Sequence, residues 1–398
     1  MERTFKDLIL SLFPLSKNHK LTISKLSNDL KPEQIKDIKY LLKTKKIGIV
    51  TTPTRISKEL AHFSAYTQFQ IMIENPQVQT FINDINHQVK ESSQRNSYHS
   101  FSKHAYERLV RYIAPNILGL AEIKESVLLL LFSKERFHIL LVGDPGTGKT
   151  DIIRSAQRLA PISSFGLGSG TSGAGLSVSM KGKELELGLL PLAHQGICCI
   201  DELNLMQVRD RAALYSAMEK GFVTYDKKGM HKQIPAEIRI LATANPVGDK
   251  FVGRSLSVLK EQLPFDAALL SRFHLSYVIR EPDAHKLATI AKKIVKSDSI
   301  KLREEDLEYI KGYIEYSLKQ DVEFDKRYAQ LISDFIEDVK TNESKYVVEI
   351  GPRLVHGIMR LAQARARIEL RDKTTKEDVL EAIRLVKDSL YIEDIVRP

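Results

Sequence analysis

The sequence predicts an α/β fold: a parallel sheet between helices, followed by a helical domain and preceded by a small basic domain. Three observations predict it. Short apolar runs of buried-strand length recur at 137–142, 196–200 and 238–242, each leading straight into polar or glycine-rich residues. From 283 to 398 the pattern is helical throughout, apart from turns such as Gly351-Pro352. The first sixty residues hold 13 Lys/Arg against 6 Asp/Glu and read as short helices broken by turn residues.

Composition bounds the class. At 398 residues, with 43% hydrophobic and 28% charged, the chain has room for two or three folded domains. Cys198 and Cys199 are adjacent and cannot bridge distant segments, and no Cys/His set has metal-ligand spacing, so a zinc site is not expected. A reducing, cytoplasmic setting fits this cysteine usage. The start of the chain is too short in its apolar run and too acidic for a signal peptide, and no stretch has the length of a membrane span. A net charge of +10, concentrated at the N-terminus, favours a polyanionic partner and a nucleoid-associated location.

In chain order, residues 1–62 suggest a winged-helix-like domain. A helix over 3–12 is followed by a second over 23–30, with Thr22 as its N-cap. A third opens on Pro32, with Ile35, Ile38, Leu41 and Leu42 at helical spacing and Lys36, Lys39, Lys43, Lys45 and Lys46 on its other face. Strands at 47–50 and 54–56 around Pro53 complete the order of a domain whose third helix enters a DNA groove. The alternative is a solvated lysine face on a protein-interaction module. Residues 63–105 read as a helical linker, 106–282 as the α/β core and 283–398 as a helical lid; no internal repeat is evident.

The core carries the chemistry. The run 137–142 feeds into Gly143, Asp144, Pro145, Gly146, Thr147, Gly148, Lys149 and Thr150, the full P-loop pattern, and a helix begins directly after it. Glycines let backbone N–H groups curl around phosphates, and the helix N-terminus adds the positive end of a dipole. Lys149 is placed to reach the β- and γ-phosphates of ATP and the Thr150 hydroxyl to ligate Mg²⁺. The run 196–200 ends in Asp201 and Glu202: the first would hold Mg²⁺, the second would polarise the attacking water. The run 238–242 leads to Asn245, a polar group that can orient the same water. Arg272 and Arg353 are candidates for cations offered to the γ-phosphate, although either can equally be a surface arginine.

With these residues together, 112–390 resembles the AAA+ module of the minichromosome maintenance (MCM) helicases. The resemblance rests on 113–124 with 128–132, on 171–176 and 185–193, on 198–202, on Asp210 and Arg211, and on 217–219 and 270–273. It implies an AAA+ P-loop core with a helical lid, Asn245 as sensor 1, Arg272 as arginine finger and Arg353 as sensor 2, the last two acting on a neighbouring subunit. Two hairpins are expected where such a motor touches DNA. One spans 178–187 with Lys181 and Lys183 at its tip; the other spans 223–234 with Lys227 and Lys228 at its turn. By resemblance Lys227 is the pre-sensor-1 hairpin lysine facing the central channel. Lysines at turns also occur simply for solubility.

Four departures from the family are expected: the chain is too short for the usual N-terminal domain with an OB fold and often a zinc finger, it stops just after the lid helix 374–390 where the family commonly has a winged helix, its helix-2 insert is short, and Gly148 and Thr150 stand where the family usually has Ala and Ser. The expectation is a reduced or divergent member, suited to a mobile element: a Mg-ATP-dependent DNA translocase or helicase acting as a ring, in all expectation a hexamer, on single-stranded or forked DNA in replication. Two alternatives stay open: a protein remodeller of the MoxR/chelatase clade, and an ATP-switched initiator that binds duplex DNA without unwinding it.

Overall fold

The computed structural model describes residues 94–390, apart from 182–183, 228–229, 254, 297–301, 344–345 and 347–350, together with three short strands ahead of residue 94. The chain forms two compact units, Met1–Ser100 and Phe101–Pro398.

In the first unit, strands β1 (Ser24–Leu26), β2 (Gly48–Ile49) and β3 (Gln70–Ile73) form one sheet in the order β1-β3-β2, with both pairings parallel. This corrects two expectations. Ser24–Leu26 is a strand inside the segment expected as a helix over 23–30, and Gln70–Ile73 is a strand inside the expected helical linker. Each is made by a partner more than twenty residues away, which local periodicity does not register. The strand expected near 47–50 is present at Gly48–Ile49, but its partner is β3. The segment 54–56, the lysine-bearing helix and the rest of 1–62 lie outside the described residues.

The second unit is built on a sheet that runs β12-β4-β11-β8-β5, parallel throughout. Its strands are β4 (His138–Gly143), β5 (Ser163–Leu167), β8 (Ile197–Asp201), β11 (Arg239–Ala244) and β12 (Leu275–Ile279). All residues of β4, β8 and β11 are buried, as central parallel strands covered on both faces must be. That is why the sequence shows them as mostly apolar runs. Two antiparallel hairpins interrupt the sheet's chain path: β6 (Val178–Lys181) with β7 (Glu184–Leu187), and β9 (Phe222–Lys227) with β10 (Met230–Pro235).

Helix α1 (Ala121–Phe132) packs beneath the sheet with Val127 to Phe132 buried, and α2 (Lys149–Leu159) follows β4. Helix α3 (Ala212–Lys220) lies ahead of the second hairpin. After β12 come α4 (Ala284–Lys296), α5 (Glu304–Leu318), α6 (Ala329–Thr341), α7 (Pro352–Ile368) and α8 (Lys376–Leu390), the helical domain. Helix α7 packs on α8 and on α1. Polar ties reinforce the junction: Arg367 donates to the Phe132 carbonyl at 2.8 Å, the Tyr106 hydroxyl to Glu381 at 3.0 Å, and Arg384 bridges Glu125 and Glu381. Among the described residues, no helix is long and apolar enough to cross a membrane.

His138, the first residue of β4, gives the core a pH dependence. It is buried, and burial lowers its pKa from 6.5 to about 3. The Ile240 N–H donates to Nδ1 at 3.1 Å, so the neutral ring carries its proton on Nε2, towards the Met218 carbonyl at 3.4 Å. Between these two pKa values the unfolded chain binds the proton and the folded one does not, so stability falls as pH falls from about 6.5 towards 3. At pH 5 the loss from this one residue is about 2 kcal/mol relative to neutral pH. His138→Asn, which keeps an acceptor for Ile240, is expected to lessen the loss of urea-denaturation stability between pH 7 and 5, leaving the share of His274, whose pKa burial also lowers. An unchanged slope would show that His138 is not its source.

Candidate active site

The sheet order determines what can meet. Strand β11 lies between β4 and β8, so the ends of these three strands converge at one edge, where ligands of open α/β sheets bind. From β4 emerges the loop 143–148, from β8 Asp201 and Glu202, and from β11 Asn245.

The loop opens the N-terminus of α2. Gly148, its N-cap, has φ +84, and no side chain caps the first backbone donors of the helix. A Cβ on Gly148 would come within 2.8 Å of Ile117, whose segment lies over the loop. That segment is held by Lys124, whose ammonium donates to the carbonyls of Ala114 (2.9 Å) and Ile117. The side chain of Asp144 faces inward, accepting the N–H groups of Phe251 (2.7 Å) and Glu281 (2.8 Å). Asp144 therefore shapes the loop throughout: its own N–H donates to the Ile279 carbonyl at 3.0 Å, and its carbonyl accepts from Lys149 and from the Thr147 hydroxyl at 2.8 Å.

Lys149 is buried, and its ammonium donates to the carbonyls of Gly143 (2.7 Å) and Asp144 (2.8 Å). Burial lowers its pKa, opposed by the nearby carboxylates of Asp144, Asp201 and Glu202. The direction matters: a desolvated ammonium gains more from an incoming phosphate than a hydrated one does. Thr150 follows it, exposed, on the first turn of α2. Asp201 is buried and accepts a hydrogen bond from the Thr243 hydroxyl, while the Glu202 N–H donates to the same Thr243 oxygen at 2.9 Å. The Asn245 N–H donates to Oδ1 of Asn204 at 3.1 Å. Lys149 thus lies near Asp201 and Glu202, and Asn245 follows β11, the strand between β4 and β8.

The structure does not bring Arg272 and Arg353 to that edge. They line a separate cleft of about 530 Å³, together with Glu219, His274 and Arg360. Arg272 pairs with Glu219 at 3.0 Å, donates to the Ala268 carbonyl and lies over the Tyr215 ring at 4.8 Å; its Nε is buried with no partner. Arg353 donates to the Ser271 carbonyl, and burial with the neighbouring Arg272 lowers its pKa against the pull of Glu219. One chain thus carries a phosphate-shaped loop on one edge and a pair of arginines in another place.

Of the hairpin lysines, Lys181 ends β6 opposite Glu184, and Lys227 ends β9 opposite Met230. Lys183 and Lys228 lie outside the described residues. Buried Val223 and Tyr225 root the second hairpin in the core. The first hairpin balances its two lysines with Glu184 and Glu186, whereas the second adds Lys232 to Lys227 and Lys228 against Asp226 alone. The second is the more basic of the two.

Sequence reasoning missed Thr243, Asn204 and Glu219. The first had a signal, since it is a hydroxyl directly after the apolar stretch Ile240-Leu241-Ala242 in a strand that is buried along its whole length. Glu219 falls within 217–219, one of the stretches that carry the family resemblance, but neither its pairing nor that of Asn204 had a signal, since their partners are 53 and 41 residues away in sequence.

Comparison with known proteins matches this geometry. Residues 95–298 match the MCM P-loop domain and 308–390 the MCM AAA-lid domain. The chain is 34% identical over 316 residues to the DNA replication licensing factor mcm7 of Xenopus tropicalis, covering 72% of this chain and 43% of that protein. It is 34% identical over 312 residues to the DNA replication licensing factor MCM4 of Arabidopsis thaliana, covering 71% and 37%. Against the Minichromosome maintenance protein MCM of Saccharolobus solfataricus it is 28% identical over 312 residues, covering 73% and 45%. The matched part is less than half the length of each of these relatives. On the strength of its strand-end constellation, its lid and these matches, the chain belongs to the MCM family.

Proposed function

We propose that the protein hydrolyses Mg-ATP at the contacts between subunits of a ring, six by family resemblance, and uses the energy to move along and unwind DNA in replication. The observation that carries this reading is the division of the site: Lys149, Asp201, Glu202 and Asn245 meet at one edge, while Arg272 and Arg353 share a different cleft. Such a chain completes its site only when a second copy presents its arginines.

The donor set fits nucleotide with Mg²⁺. The backbone of 143–148 and the N-terminus of α2 bind phosphate, and Lys149 exchanges its loop carbonyls for β- and γ-phosphate oxygens. Thr150 and Asp201 would hold Mg²⁺, which, when bound, neutralises charge on those phosphates. Glu202 accepts a hydrogen bond from the attacking water and polarises it, and Asn245 fixes that water's orientation. Arg272 leaves Glu219 and meets the charge that develops on the transferred phosphoryl group, with Arg353 beside it.

For DNA we keep the division expected from sequence, with core 106–282 and lid 283–398, and assign the second hairpin as the principal contact. Its lysines neutralise phosphates without reading bases, which suits movement along any strand. In a forked-duplex assay run across a range of salt, Lys227→Ala is expected to lower unwinding and DNA-stimulated hydrolysis by about tenfold or more, and to reduce the salt slope by about one. Unchanged unwinding would reject the hairpin assignment. Hydrolysis by the unaltered protein without DNA stimulation would favour a protein remodeller; duplex binding without strand separation would favour an initiator.

A further inference from the structure

Strand β11 does more than carry Asn245. Thr243, two residues earlier, is 1% exposed in the middle of the sheet, yet it is polar. Its hydroxyl donates to Oδ1 of Asp201 and accepts the Glu202 N–H at 2.9 Å. A hydroxyl has one hydrogen and two lone pairs, so a single side chain makes both bonds at once. The first fixes the rotation of the Asp201 carboxylate. The second holds Glu202 at φ +53, a left-handed conformation that a residue with a side chain adopts at a cost and keeps only when its surroundings impose it.

Two further contacts close the arrangement. Running the other way, Asn204 Oδ1 accepts the Asn245 N–H at 3.1 Å, and Arg211 holds the Asn204 and Met206 carbonyls at 3.3 and 2.8 Å. From the far side, Gly168 lies so close that a Cβ there would be 2.1 Å from the Glu202 carbonyl.

We propose that Thr243 and Asn204 are positioning residues, a two-way latch that makes Asp201, Glu202 and Asn245 one rigid unit. The inference rests on the roles given to those three residues under Proposed function. Neither Thr243 nor Asn204 touches substrate: each acts through the group it holds. A purely structural role for the hydroxyl, satisfying a polar position in a buried strand, predicts a change in stability alone.

The test compares Thr243→Val, Thr243→Ser and Asn204→Ala in the full chain, reading three quantities: hydrogen exchange of the Glu202 amide, the gain in affinity for a fluorescent ATP analogue on adding Mg²⁺, and steady-state kcat and KM for ATP. Thr243→Val is expected to speed exchange at Glu202 by about tenfold, the worth of one hydrogen bond. It is also expected to shrink the Mg²⁺ gain and to lower kcat with little change in KM, while Thr243→Ser restores all three. Wild-type exchange and Mg²⁺ gain in Thr243→Val overturn the inference, whatever the unaltered protein hydrolyses. An unaltered protein that binds Mg-ATP but does not hydrolyse it instead overturns the hydrolytic reading, leaving the exchange and Mg²⁺ effects as the latch's own measure. Should Thr243→Val fail to fold, Asn204→Ala decides: a Mg²⁺ gain and kcat equal to the unaltered protein's would overturn the latch.

Discussion

Arg272→Ala is expected to lower ATP hydrolysis by about 10³-fold or more while leaving ATP affinity within about threefold, because an arginine finger stabilises charge that exists only in the transition state. The geometry sharpens the expectation. Arg272 sits in the Glu219 cleft, whereas the loop 143–148 and Lys149 lie at the ends of β4 and β11. Its loss should therefore be felt at the neighbouring subunit's nucleotide, and binding at its own loop should be untouched. Mixing Arg272→Ala subunits with Lys149→Ala subunits provides the check. Each is inactive alone, but a mixed ring contains contacts where an intact loop meets an intact arginine, so hydrolysis should reappear and peak at intermediate ratios. No recovery in rings shown to be mixed would mean that Arg272 serves its own subunit's site, and the division of the site would fall.

The second large effect belongs to Glu202. Glu202→Gln keeps shape and hydrogen bonding but removes the basic carboxylate, and positioned acid–base groups contribute about 10²- to 10⁴-fold. Hydrolysis should fall by that order, and Mg-ATP should remain bound, since Lys149, Thr150 and Asp201 are intact. The outcome to look for is a ring that holds ATP for long periods; in the forked-duplex assay it should bind DNA without unwinding. Turnover close to that of the unaltered protein would remove Glu202 from the water-polarising role and throw weight onto Asn245.

Much of this was legible in the chain itself, for reasons particular to each element. The runs 137–142, 196–200 and 238–242 announced β4, β8 and β11 because strands buried on both faces are mostly apolar, and the few polar residues they hold, such as His138 and Arg239, are hydrogen-bonded inside. The P-loop was legible because its spacing is demanded by backbone geometry around phosphate, and the two hairpins because they are local, closed by short turns. The N-terminal strands Ser24–Leu26 and Gln70–Ile73 were not legible: each is a few residues long and owes its conformation to a distant partner. Nor were the pairings of Arg272 with Glu219 or of Thr243 with Asp201, which join residues 53 and 42 positions apart in sequence.

By itself, then, the sequence determined which candidate groups are present: a loop with the phosphate-binding pattern, two carboxylates, an asparagine and two arginines, each tied to a motif of fixed local spacing. Only the tertiary structure decided which of these lie together. The order β12-β4-β11-β8-β5 puts Asn245 between the loop and the carboxylates, and the packing of α7 sends Arg353 to the Arg272 cleft instead. The physical reason is that motif spacing reflects local backbone geometry, whereas proximity across a sheet is set by strand order and by which buried surfaces pack, and these depend on the whole chain at once.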